Sequence, residues 1–364
     1  MSLFLLPPFS FLLGVTINMR IQGYPSPGPG LRLHLNENTG GCSPRVLEAI
    51  RALTPAEIAT YPDYRESVVA CAGYFDVDPD WLLLTHGLDE GILMMAIGLL
   101  AKDKSPDAEA IIPVPAFDPY FAAAAAVGAK PILVPPLEDF EFPTGAVLAS
   151  ISPRTRLIFL NTPNNPTGQL VPKDAIAQVA KAAPNALVMA DEAYIEFGGD
   201  SFLEELPEHR NVIVGRTFSK AYGLAGMRVG CVIAHPDTLD QLRDVTPVFN
   251  MNIVAVKAMQ AAIGDAEFLP RYAAEVCESR QRLYAACRRL GLQYWESAAN
   301  FVLVRVGERA GALVSALAAR GVHVRDRSRD PYCLGCVRIT AGIRAHTDAG
   351  IAALDEVMAG SASR

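Results

Sequence analysis

Seven short apolar runs limit what this chain can fold into. They are Trp81–Thr85, Ala110–Val114, Pro131–Val134, Arg156–Leu160, Ala186–Ala190, Asn211–Gly215 and Val229–Ala234. Amphipathic stretches of helical length separate them. Strands of four to six apolar residues divided by helices predict a mostly parallel α/β sheet, because parallel strands need crossover connections and are covered on both faces.

From about Glu267 the texture changes. A long helical stretch carries Val276, Leu283 and Leu290 on one face. A strand at Asn300–Val306 follows, then a helix at Ala310–Ala319, short strands near Val322–Arg325 and Val337–Thr340, and a last helix from Thr347. This reads as a smaller α+β domain, and two domains suit a chain of 364 residues. At the other end, Arg20–Gly30 is a Pro/Gly-rich arm. Ser43-Pro44 then opens a helix through Val46, Leu47 and Ile50, with Ser as N-cap and Pro in the first turn. The expected division is an apolar extension over 1–18, an arm and first helix over 19–50 packed on the small domain, a large domain over 51–265 and a small one over 266–364. Residues 1–18 carry no Lys or Arg and include Pro7-Pro8, which suits neither a secretory signal nor a membrane span. Met19 is the expected start of the folded chain proper.

Composition excludes several classes. A hydrophobic fraction of 51% is too high for disorder, and a net charge of −7 with no dense basic cluster leaves nothing to track a phosphate backbone. No nucleic-acid or membrane partner is expected. Seven scattered cysteines, an odd number, point to a reducing cytoplasm rather than a disulfide framework. Cys333-Leu-Gly-Cys336 has no second pair and no His at finger spacing, so buried thiols are the expected reading. His86, His235 and His323 share no ligand spacing, and no metal is expected. Gly28-Pro29-Gly30 follows no strand and is no dinucleotide loop.

The chemistry gathers where predicted strands end. After Arg156–Leu160 comes Asn161-Thr-Pro-Asn164-Asn165-Pro166-Thr167-Gly168, a rigid turn that aims the Asn165 amide from the carboxyl end of a strand. Ala186–Ala190 ends in Asp191-Glu192-Ala193-Tyr194. A carboxylate there needs a cationic partner. The next strand ends in Thr217-Phe218-Ser219-Lys220, with Arg228 close behind. A lysine near a second cation tends toward nucleophilicity. A Schiff-base lysine, a carboxylate for a ring nitrogen and an Asn/Tyr pair for a phenolic oxygen are what a pyridoxal-phosphate site requires. A structural Asp191–Lys220 ion pair is the bland alternative. Thr85-His86-Gly87-Leu88-Asp89-Glu90 ends one strand and opens a helix, whose first amides suit a dianion.

PNNPTG, DEAY and SKxxGLAGxRxG, in this order and spacing, resemble the class I/II aminotransferases among the fold type I pyridoxal-phosphate enzymes, most of all the histidinol-phosphate aminotransferase branch. The resemblance runs from about Ile21 to the C-terminus. It implies a seven-stranded sheet with one antiparallel strand, pyridoxal 5'-phosphate as cofactor, and transfer of an amino group from a small-molecule donor to a 2-oxo acid, with histidinol phosphate and 2-oxoglutarate first in line. It also implies roles. Lys220 would bind the cofactor covalently and move the Cα proton, Asp191 would pair with the ring nitrogen, Asn165 and Tyr194 would bind the phenolic oxygen, and Phe117 would stack on the ring. Leu88 and Asp89 amides, Thr217, Ser219 and Arg228 would hold the phosphate. Tyr61 would reach the phosphate of a neighbouring subunit, which implies a homodimer. Arg338 would grip the α-carboxylate, Asn36 would stand beside the site, and Arg325 with Tyr24 would bind the substrate's phosphate. Thr39-Gly40-Gly41-Cys42-Ser43-Pro44 departs from the family's usual Pro-x-Gly-Pro-Ser-Pro. The bland reading of Arg325 is a wet surface arginine among Arg327 and Arg329. Two alternatives share the machinery: an aminotransferase for aromatic amino acids and a threonine-phosphate-type decarboxylase. A non-catalytic sensor fused to a DNA-binding module would need more than the roughly 20 residues before Tyr24.

Overall fold

The computed structural model describes residues 28–101 and 107–362. The apolar segment 1–18 and Tyr24 lie outside the described residues. Thirteen strands follow in chain order: β1 Leu31–Arg32, β2 Leu82–Thr85, β3 Glu109–Pro113, β4 Lys130–Val134, β5 Thr155–Asn161, β6 Leu187–Asp191, β7 Val212–Thr217, β8 Gly230–Ala234, β9 Gln293–Tyr294, β10 Phe301–Arg305, β11 Val322–His323, β12 Arg325–Asp326 and β13 Cys336–Thr340.

Strands β2 to β8 form one sheet in the order β2-β8-β7-β6-β5-β3-β4. Neighbours from β7 to β4 are parallel, and β8 runs antiparallel to both β2 and β7. All seven apolar runs are strands of this sheet, with bounds shifted by a residue or two. The pleat sends alternate residues to opposite faces. Ile158, Leu160, Val188, Ala190, Val212 and Val214 enter one core, and Leu157, Phe159, Leu187, Met189 and Ile213 enter the other. Both faces being apolar is why these strands read as unbroken runs.

The single reversed strand matters for the site. Parallel strands deliver their carboxyl ends to one edge. The antiparallel β8 delivers its amino end there, so Gly230 lies between Thr217 and Thr85. Arg228, two residues earlier, thereby joins the edge that carries Asp191 and Lys220.

A second sheet of order β12-β13-β10-β9 is antiparallel throughout. The helices Phe268–Arg289, Ala310–Ala318 and Arg344–Ala362 accompany it. The last starts three residues before Thr347 because Thr347 Oγ1 accepts the Gly342 amide (3.1 Å) from within the helix instead of capping it. The arm reaches this sheet's side of the molecule: β1 pairs in parallel with β11, and the Thr340 amide donates to Leu33 O (3.0 Å). The first helix, Pro44–Arg51, does not follow the arm there. Ser43 caps it and also donates to Asp265 (2.5 Å), while Arg45 donates to Gly264 O (2.7 Å). These bonds lay it along the helix Ile253–Ile263. Among the described residues no helix is long and apolar enough to cross a membrane.

Gly168 closes the turn after β5. It sits at φ 79°, and a Cβ there would lie 2.1 Å from Ser297 Oγ and 2.9 Å from Ser297 Cα. Strain in that region is worth about 1–3 kcal/mol. Gly168→Ala should therefore lower the melting temperature by about 2–5 °C. Gly145→Ala, in open space on the helix Thr144–Ser150, should not lower it. Differential scanning calorimetry of the two variants would decide, and equal melting points would remove the constraint assigned to Gly168.

Candidate active site

The edge holds three groups in a line. Register places Asn161 beside Asp191, and Asp191 beside Gly215 on the strand that continues to Lys220. Asp191 is 1% exposed. Its Oδ1 accepts the Ala193 amide (3.0 Å) and its Oδ2 accepts the Tyr120 hydroxyl (2.5 Å). Burial lifts its pKa to about 6, against the pull of those two donors. The expected cation is missing: no Lys or Arg among the described residues pairs with Asp191. Lys220 does not serve, since its ammonium donates to Leu35 O (3.1 Å) with Nζ 5.8 Å from the centre of the Tyr194 ring. The bland ion-pair reading therefore fails. The next carboxylate, Glu192, is held by Ser201 Oγ (2.6 Å), the Phe202 amide (2.6 Å) and Arg216 (3.0 Å).

At one end of the line is an anion cup. Gly87 precedes the helix Leu88–Met95 at φ 72°, and a Cβ there would stand 2.5 Å from the Arg228 guanidinium. The amides of Leu88 and Asp89 open that helix, where no intrahelical acceptor exists. Arg228 donates to Ser219 Oγ (3.3 Å) and to Asp89 (2.8 Å), and Thr217 Oγ1 accepts the Ser219 amide (3.2 Å). The buried Thr85 Oγ1 and His86 Nδ1 lack partners.

At the other end lie Asn165, Arg338 and the arm. The Asn165 backbone N–H donates to Asn161 Oδ1 (2.7 Å), and Asn165 Oδ1 accepts from Arg338 Nη1. Arg338 Nη2 donates to His34 O (2.8 Å), its guanidinium lies 5.2 Å from the centre of the Phe301 ring, and its buried Nε has no partner. Burial lowers its pKa to about 10, with Arg327 adding repulsion. Asn36, at φ 57°, donates to Tyr194 Oη (3.1 Å), and Asn38 donates to Ala221 O (3.0 Å). Arg325 is the cross-strand partner of Arg338, so both project from the same face of the second sheet.

Most of the residues singled out from the sequence meet here, with some differences. Phe117 stands at the start of the helix Asp118–Ala126 with its ring edge-on to Tyr120 at 5.7 Å. Tyr61 lies apart, 77% exposed and stacked on Phe249 at 4.1 Å. Arg327, grouped with a wet charge run, is instead 5% exposed and paired with Asp330. Cys333 and Cys336 are free, buried thiols joined by a turn (Cys336 N to Cys333 O, 2.9 Å). Tyr120 and His34 carried no role in the sequence reading. The i, i+3 spacing of Phe117 and Tyr120 is the one signal for Tyr120. His34 gives none, because the chain there follows a two-residue strand.

An edge of this kind suits a ligand with a dianion at one end, a cationic ring nitrogen at the other and a carbonyl for a lysine amine. Pyridoxal 5'-phosphate has all three, and the uncompensated buried acid beside an open anion cup fits it. Fold and site together define a fold type I pyridoxal-phosphate enzyme. The sequence model of the aminotransferase class I and II family matches residues 29–354, and the chain belongs to that family as a pyridoxal-phosphate-dependent aminotransferase. Histidinol-phosphate aminotransferase 2 of Ralstonia nicotianae is 39% identical over 341 residues, covering 90% of this chain and 89% of its own. The histidinol-phosphate aminotransferase of Methanococcoides burtonii is 33% identical over 335 residues, covering 91% of each. The crystal structure of histidinol-phosphate aminotransferase from Sinorhizobium meliloti in complex with pyridoxal-5'-phosphate superposes with a TM-score of 0.84 at 28% identity, over 93% of this chain and 96% of that one.

Lys220→Ala should abolish the visible absorbance of the purified holoprotein and the covalent attachment trapped by borohydride. A variant that keeps the band would reject Lys220 as the attachment point.

Proposed function

We propose that the enzyme moves the amino group of histidinol phosphate to 2-oxoglutarate, as a homodimer in the cytoplasm. The observation that carries this is the cross-strand pair Arg325–Arg338. Two guanidinium groups on one face suit substrates with a phosphate or second carboxylate besides the reacting end. The names of the relatives point the same way.

The roles follow from the geometry. Arg338 is fixed by Asn165 and His34 O and keeps Nε free, so it can meet the α-carboxylate of the keto acid without first being ordered. Arg325, from the neighbouring strand, would take the phosphate. When bound, pyridoxal 5'-phosphate supplies an electron sink for the bond broken at Cα. Asp191 would keep the ring nitrogen protonated. Asn165 and Tyr194 would hold the phenolic oxygen, with Asn36 orienting the Tyr194 hydroxyl. Leu88, Asp89, Thr217, Ser219 and Arg228 would hold the phosphate, and Phe117 would cover the ring. Lys220 Nζ would act as the general base that takes the proton from the substrate's Cα.

Tyr61 supports the dimer. A tyrosine left mostly in solvent beside Phe249 and Val248, both more than half exposed, suits contact with a second copy whose cup it completes. The free thiols support a reducing compartment.

Purified enzyme given histidinol phosphate and 2-oxoglutarate should yield glutamate. Phenylalanine should serve far less well, and no carbon dioxide should appear. Preference for phenylalanine or release of carbon dioxide would each displace the proposal. Arg325→Ala should reduce kcat/KM for histidinol phosphate by about 10- to 100-fold, the size of a lost charge-assisted contact, and leave unphosphorylated donors nearly unchanged. Equal losses for both would remove Arg325 from phosphate recognition.

A further inference from the structure

Asp191 is held by a group that the reaction itself does not call for. Tyr120 Oη donates to Asp191 Oδ2 at 2.5 Å from a side chain 1% exposed. Two aromatic contacts fix the phenol ring. It stacks on Phe159 at 4.4 Å and 13°, and it meets the edge of Phe117 at 5.7 Å and 85°. The hydroxyl therefore cannot swing elsewhere without breaking the core around β5. Burial raises the Tyr120 pKa well above its usual value, with Asp191 adding to the shift, so the group stays a donor at every working pH.

The other groups facing Asp191 do not favour its charge. Asp89 approaches from the helix Leu88–Met95, and Glu192 follows in the chain. Both push the carboxyl toward protonation, as burial does. Tyr194 lies at the same strand end and adds no positive charge. Against these stand the Ala193 amide and the Tyr120 hydroxyl, of which the hydroxyl has the larger influence. A neutral Asp191 could not hold a ring nitrogen protonated.

We infer that Tyr120 is a positioning residue: its hydroxyl keeps Asp191 ionised and in place before the cofactor arrives, and so sets how firmly the ring nitrogen stays charged. The inference rests on Asp191 being the partner of that nitrogen. It does not depend on which amino donor is used.

The test is a titration of the apoprotein. Protein labelled with carboxyl-¹³C aspartate is followed by NMR across the acid range, with Asp191→Asn to assign the signal. Tyr120→Phe should raise the Asp191 midpoint by roughly one unit or more, the size of shift that losing a hydrogen bond to a charged acceptor produces. The affinity for pyridoxal 5'-phosphate should weaken most on the acid side of that midpoint. Replacing Tyr120 with 3-fluorotyrosine, a more acidic phenol and stronger donor, should move the midpoint down. This second variant stands alone if the phenylalanine protein folds poorly. An Asp191 midpoint that neither substitution moves, or cofactor affinity lost equally at all pH values, would reduce Tyr120 to a packing role and overturn the inference. Failure of histidinol phosphate as a substrate would leave these titrations untouched, so the two readings fail separately.

Discussion

A carboxylate buried at the carboxyl end of the central strand sets the terms for everything around it. Asp191 could ionise cheaply in water, and in this core it needs donors or a cation. The protein supplies two donors and, among the described residues, no cation. That choice explains why the neighbouring acid Glu192 is satisfied by other groups, why Lys220 is held at the Leu35 carbonyl and away from Asp191, and why Tyr120 is packed on both sides. Had Lys220 paired with Asp191, neither group would be free for chemistry.

The architecture serves the same end. Parallel strands bring Asn161, Asp191 and the segment leading to Lys220 to one edge, and one reversed strand adds Arg228. The second sheet contributes the face that carries Arg325 and Arg338. Arg338 ties the two together, because one nitrogen is bound to Asn165 at the end of the first sheet and another to the arm at His34. Its spare Nε lies in a setting where desolvation strengthens any anion it meets.

Much of this was legible in the residues. The seven strands are visible because burial on both faces forces short apolar runs. Lys220, Asp191, Asn165 and the Gly87–Glu90 turn are visible because each stands at a break where an apolar strand meets polar residues. Tyr120 was hidden inside an alanine-rich helix, and its meaning depends on a strand 71 residues away. The burial of Arg327 was hidden too: it sits in a charge run, and only its pairing with Asp330 and the packing of β12 on β13 take it out of water. The first helix was placed on the wrong neighbour, because its N-cap serine reads the same whether or not it also binds Asp265. Local patterns report local energetics, and these three features are set by partners far along the chain.

The arm closes the molecule on itself. The Asn36 amide donates to Thr340 Oγ1 across 304 residues of sequence, and Asn300 reaches back to Asn36 O. During synthesis, then, the large sheet can assemble on the ribosome while the amino-terminal segment waits for its partners. Asn36 gains its mooring only when Asn300 and Thr340, far along the chain, have emerged. Asp191 and Lys220 precede Asn300 and Thr340 in the chain, so closing the arm over their edge of the sheet is a long-range event of the kind that folds slowly.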